Sequence, residues 1–228
     1  MRTRLAARTK NVALVATIAA TFSLSTAGAT DAPLHVGPVH AGDRASFAFT
    51  FDGHFSENPE HFSDTIVAQL KPDGVFIVNA PQFKPFTLTT TRGADGLLAP
   101  APAESALGDI LIDYNSIVTL AKHTGPTGAG DTWQAQIPVR ISPDTWHDLP
   151  VDVKVASSGG SGVSLSGQGH DETTLFYHGY TFAVDVTLQM TETYGAGGAF
   201  KTAEFSVNEI TAGGSGPPIS YAWNFTAQ

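Results

Sequence analysis

Residues 180–190 read Tyr-Thr-Phe-Ala-Val-Asp-Val-Thr-Leu-Gln-Met. Tyr180, Phe182, Val184, Val186, Leu188 and Met190 take every second place, and Thr181, Ala183, Asp185, Thr187 and Gln189 fall between them. Successive side chains of a strand point to opposite faces, so this period of two predicts a strand with one apolar side and one side in water. Strands of that kind belong to antiparallel sheets.

The same period recurs in both directions along the chain. Phe47, Phe49 and Phe51 alternate with Ala48 and Thr50, and Phe86, Leu88 and Thr90 repeat the pattern. Further on, it returns at Trp133 to Ile141, Val151 to Val155, Ala203 to Val207 and Tyr221 to Phe225. Lys71-Pro72-Asp73-Gly74 presets a tight turn between 65–70 and 75–78, and Ser157 to Gly162 turns 151–155 into Val163 and Leu165. Pro138 lacks a ladder donor and places its strand at an edge or bulge. Asp52 to His61, with Pro59 inside it, reads as a loop, and Gly167-Gln168-Gly169 ahead of His170 reads as a turn.

One stretch changes period. Leu107, Ile110, Leu111, Tyr114, Ile117, Val118 and Ala121 recur at helical spacing, which predicts an amphipathic helix over 104–122. Glu104 and Lys122 stand at the favourable ends of its dipole, and Gly125 with Pro126 ends it. The branched residues of 110–114 also fit a strand. About ten short-turned strands and one such helix predict a mainly β (α+β) fold: a large curved antiparallel sheet, or partly open barrel, covered by the helix. Residues 44–228 form one domain in this reading, with 30–43 as a lead-in segment, and no repeat suggests a solenoid or propeller.

Ahead of the strands, residues 1–29 have the pattern of a secretory signal peptide. Arg2, Arg4, Arg8 and Lys10 precede the apolar run Val12 to Leu24, which is shorter than the ~20 residues of a membrane span. Ala27-Gly28-Ala29 supplies small residues for cleavage after Ala29, with Ala32 as a second site. No Arg-Arg pair is present, which favours the Sec route to a secreted or periplasmic location. Cleavage removes four of twelve basic residues and none of the 21 acids, taking the net charge from −9 to −13. Such a charge argues against nucleic acid as a partner. With no cysteine, the chain has neither disulfides nor an acyl-cysteine, so no stable membrane anchor is expected.

This order of strands, one helix, and Gly130-Asp131-Thr132-Trp133 opening a second run of strands resembles bacterial secreted proteins of the LolA/LppX type. The resemblance implies a half-barrel that holds lipid under a helical lid. This chain lacks the acylated cysteine of the LppX-like lipoproteins, and the resemblance carries no site residue across.

Asp52, His54, Glu57, Glu60 and His61 form the densest polar cluster, and their imidazoles and carboxylates suit Zn or a related divalent ion. His170-Asp171-Glu172 sets an imidazole beside carboxylates, as general acid and base work requires, although a hairpin turn explains it equally well. Gly162-Val163-Ser164-Leu165-Ser166 lacks the last glycine of a nucleophile elbow, and no phosphate-binding or dinucleotide glycine motif occurs. Carboxylate pairs for glycoside hydrolysis have no sequence spacing to recognise. Tyr177, Tyr180, Trp133 and Trp223 fit the core, with sugar stacking or the lining of an apolar pocket as the alternatives. The leading expectation is a binder of a hydrophobic small molecule or lipid, with no catalytic residue and no cofactor. The alternatives are a secreted hydrolase or metal-dependent enzyme, and an outer-membrane barrel suggested by the alternation at Tyr221, Trp223 and Phe225.

Overall fold

The computed structural model describes residues 33–38, 40–55, 58–73, 75–79, 87–91, 97, 106–121, 128–142, 145–177, 180–211 and 219–228. Its elements, in chain order, are β1 Arg44–Phe55, β2 Asn58–Leu70, β3 Val75–Asn79, β4 Thr87–Thr91, α1 Ala106–Leu120, β5 Thr132–Ser142, β6 Thr145–Gly159, β7 Gly162–Tyr177, β8 Tyr180–Gly195, β9 Phe200–Thr211 and β10 Ile219–Ala227. The ten strands form one antiparallel sheet in the order β4-β3-β2-β1-β10-β9-β8-β7-β6-β5. The fold is therefore mainly β, with one helix among the described residues. The sheet is not closed, and β4 and β5 remain its two edges.

Every neighbouring pair except β1 and β10 is also consecutive in sequence, so the sheet is two meanders joined where the first and last strands meet. The chain leaves the sheet at one edge, β4, and re-enters at the opposite edge, β5. Crossing between them requires an element that passes over a face, and α1 lies on that route. Its apolar side determines which face it covers.

Alternation divides the sheet cleanly. On the inner face, Leu149, Val151 and Val153 of β6, Leu165 of β7 and Val186 of β8 are fully buried, as are Ile117 and Leu120 of α1. Burying each such side chain stabilises the fold by roughly 1.5–3 kcal/mol before entropy is counted. Aromatic rings continue the core across the join: Phe205 stacks on Trp223 at 3.8 Å, and Phe49 meets Phe225 at 4.7 Å between centroids. The outer face carries Asp152, Lys154, Gln168, Gln189 and Glu204, all exposed. Polar out and apolar in is the reverse of a lipid-embedded barrel, whose apolar band faces outward.

The lead-in segment belongs to the fold. His35 bridges to Ala199, Leu34 and Val36 pack on the core, and the Tyr114 hydroxyl of α1 donates to the Val36 carbonyl at 3.0 Å. Gly37 follows with φ of +71°, and a Cβ there would lie 2.8 Å from the Tyr114 hydroxyl oxygen. This end of the core is capped by residues of the lead-in segment, whose order the sequence leaves open.

Three expectations need correction. Residues 52–61 are not a loop: β1 runs on to Phe55 and β2 begins at Asn58, so Asp52 pairs with His61 inside a hairpin. Residues 167–172 are not a turn either, since β7 continues through them to Tyr177. Gly167 and Gly169 look like breakers, but they are inner-face positions whose missing side chains make room for Met190, Val151 and Leu149. Tyr180 is not core. It is 70% exposed and Phe176 is 72% exposed, because the β7–β8 hairpin runs past the pairing of β7 with β6, which reaches only Gly169, and of β8 with β9, which reaches only Val184. Trp223 is buried and Trp133 partly so; the side chain of Tyr177 lies outside the described residues.

Candidate functional site

The β1–β2 hairpin places Asp52 and His61 opposite each other, and His61 Nδ1 meets Asp52 Oδ1 at 2.5 Å with both side chains largely in water. His54 lies between Pro59 on β2 and Ser220 on β10. Glu57 and the side chain of Glu60 lie outside the described residues. Among the described residues, no group of three or more His, Cys, Asp or Glu side chains stands close enough to hold a metal ion.

The side chains of His170, Asp171 and Glu172 form no triad: the Glu172 backbone N–H donates to Asp171 Oδ1 at 2.9 Å, and the two imidazole contacts run to other strands. His170 Nε2 faces Asp185 of β8 at 2.8 Å, while Asp171 turns to the other side of the sheet and meets His147 Nε2 of β6 at 3.0 Å. Strand alternation explains the split, because consecutive residues project from opposite faces. Each is a cross-strand pair.

The outer face holds a wide, open trough into which a row of polar side chains projects. Two hollows of about 660 and 530 Å³ share Asp152, Gln168 and Gln189, which are direct cross-strand neighbours on β6, β7 and β8. Gln134 of β5 extends this row by donating its amide N–H to Asp152 Oδ1 at 3.0 Å. A second row beside it runs Lys154, Ser166, Thr191, Glu204 and Asn224, and Asn224 donates to the Thr50 hydroxyl at 3.2 Å. The floor is the β7 backbone at Gly167 and Gly169.

Two acids face the other way, into the apolar interior. Glu192 of β8 is fully buried and accepts the Tyr194 hydroxyl at 2.6 Å. Burial pushes its carboxyl well above the usual range, and the Tyr194 hydrogen bond offsets part of that rise. Tyr194 is itself raised, first by burial and then by the Glu192 charge. Glu209 of β9 is 2% exposed, and neither carboxylate oxygen has a hydrogen-bond partner among the described residues. Burial raises it to about 8, so it is mostly protonated at neutral pH. Near it, Tyr221 is raised by burial and further by the Glu209 charge, against its hydrogen bond with the Arg140 backbone.

Glu209 pairs across to Val186, six residues from Glu192 along β8, which separates the acids by roughly 20 Å. Two carboxyl groups that share one glycosidic bond sit ~5–9.5 Å apart, so these two are not such a pair. Sequence reasoning missed both, although a signal was present. Extending the alternation past Met190 and past Val207 lands on Glu192 and Glu209, each on an apolar face.

No described helix is long and apolar enough to cross a membrane. Comparison with protein-family models, curated proteins and solved structures gives no match.

Proposed function

We propose that the chain is an exported, non-catalytic binding protein that takes a hydrophobic small molecule or lipid against the apolar face of its sheet, beneath α1. One observation carries this reading: the inner apolar face of an unclosed sheet is covered by α1, the single helix among the described residues, lying on the connection between the two unpaired edges. Export rests on the pattern of residues 1–29.

The physical basis is like-for-like exchange. α1 contributes Tyr114, Ile117 and Leu120 to the core, each of which it would lose on swinging away. At roughly 1.5–3 kcal/mol per side chain, that loss is of the size that one acyl chain of several methylenes returns at ~0.8 kcal/mol each. Exchange between helix and ligand is then close to balanced, as reversible loading and release require.

The test is direct. The secreted protein is purified without detergent, extracted with organic solvent, and the extract analysed by mass spectrometry; separately, the stripped protein is offered a fluorescent fatty-acid analogue. A hydrophobic compound near one per chain, or saturable uptake of the probe, supports the reading. An empty extract together with no uptake overturns it.

A further inference from the structure

We propose that the outer-face trough is a second, independent site that binds a neutral oligosaccharide. It is built rather than incidental. Gly167 and Gly169 project no side chain toward the core, and the atoms of Met190, Leu149 and Val151 stand 2.6–3.0 Å from where a Cβ would be. The β7 backbone thereby lies close against these core side chains, and Gln168, between the two glycines, lines both hollows on the water side.

The lining chemistry selects the ligand class. Gln134, Asp152, Gln168 and Gln189 stand side by side on four adjacent strands. At ~4.8 Å between strands the row spans roughly 14 Å, a few pyranose rings in length. Amides both donate and accept, the Asp152 and Glu204 carboxylates accept, and the Lys154 ammonium donates. That mixture matches a chain of vicinal hydroxyls, each of which also does both. A polyanion is disfavoured by the two carboxylates against one ammonium. An apolar ligand would leave every one of these groups desolvated and unpaired. Without an aromatic platform in the row, binding rests on solvated hydrogen bonds, which places the affinity in the weak, roughly millimolar range.

The experiment is a heteronuclear NMR titration of the folded protein with neutral oligosaccharides of differing linkage, run up to roughly 10 mM. At least one should move the side-chain amide signals of Gln134, Gln168 and Gln189 together and saturably. Gln168→Ala and Gln189→Ala, exposed positions that leave the melting temperature unchanged, should each weaken that binding about tenfold. A variant that does melt lower is replaced by Gln168→Asn, which keeps the amide but shortens its reach and should weaken binding to a similar degree. No response to any sugar, a response that survives these substitutions, or equal shifts from a Gly-Ser peptide of similar length would overturn the assignment. The site does not depend on the interior one: a protein empty of lipid that still binds sugar separates the two.

Discussion

The backbone N–H of Arg140, on edge strand β5, donates to the phenol oxygen of Tyr221 at 2.8 Å, although 81 residues separate them. Tyr221 comes from β10, in the middle of the sheet order. One side chain thus occupies a donor on an edge strand and ties β5 to β10, five strands away in the sheet order. Tyr221→Phe keeps the ring and removes the acceptor. We expect a loss of about 0.5–1.5 kcal/mol in urea unfolding, the net contribution of one such part-buried hydrogen bond. Hydrogen exchange should accelerate at the Arg140 amide more than at β5 amides bonded to β6. Unchanged protection at Arg140 would show that the edge is held by other contacts.

The turn from β6 to β7 makes a sharper prediction. Gly162 has φ of +132°, and a Cβ there would lie 1.9 Å from the Tyr194 carbonyl oxygen, a backbone atom that cannot swing aside. Gly162→Ala therefore combines backbone strain with a clash and should cost more than about 2 kcal/mol. Gly160, two residues earlier in the same turn, has open space around its Cβ position. Gly160→Ala should change stability by less than about 0.5 kcal/mol, as surface substitutions do. Similar melting temperatures for the two variants would contradict the geometry.

How much of this was legible in the sequence depends on whether the apolar period was interrupted. At 180–190 it is unbroken, and β8 is where the alternation places it. Pro138 marks β5 as a border strand, and β5 is the last in the order. The helical spacing likewise gives α1. Where the core itself needs a gap, the pattern fails, since Gly167 and Gly169 fill inner-face places with no side chain and read as turn residues. Pairing at long range is equally silent: Asp52 to Phe55 become strand because β2 and β10 flank them, and nothing within the segment says so. The trough was unreadable for the same reason. Its row is assembled from four strands, and no short window contains more than one member.

Glu192 and Tyr194 allow the interior to be tested as a pair. Among the described residues, the tyrosine hydroxyl is the one donor to a carboxyl group that burial already opposes ionising. Tyr194→Phe leaves Glu192 without it and should cost about 1–3 kcal/mol. Glu192→Leu alone strands the hydroxyl instead. The double variant removes both polar groups, so its loss should be smaller than the sum of the two single losses by at least about 0.5 kcal/mol. Strict additivity in a urea-unfolding cycle would mean that the 2.6 Å contact contributes nothing.

Glu209 gives the clearest pH signature. Its carboxyl titrates near 4.5 when exposed and near 8 in the fold, and burial is the cause. Between those values the folded chain holds a proton that the unfolded chain has released. Stability from this group is therefore complete at low pH, falls as the pH rises through the window, and levels off above about 8, at a slope of at most ~1.4 kcal/mol per pH unit. Glu209→Gln carries no titrating proton and keeps nearly the same shape. Its stability relative to the parent should rise steadily from about pH 5 to about pH 8 and then level off. Glu209→Leu, which also removes two oxygens without a hydrogen-bond partner among the described residues, should exceed both at every pH in that range. Glu192 remains in all three chains, so its own titration cancels in the comparison. Parallel stability curves for parent and Glu209→Gln would mean that the carboxyl is hydrated in solution, and with it that this end of the interior is open to water.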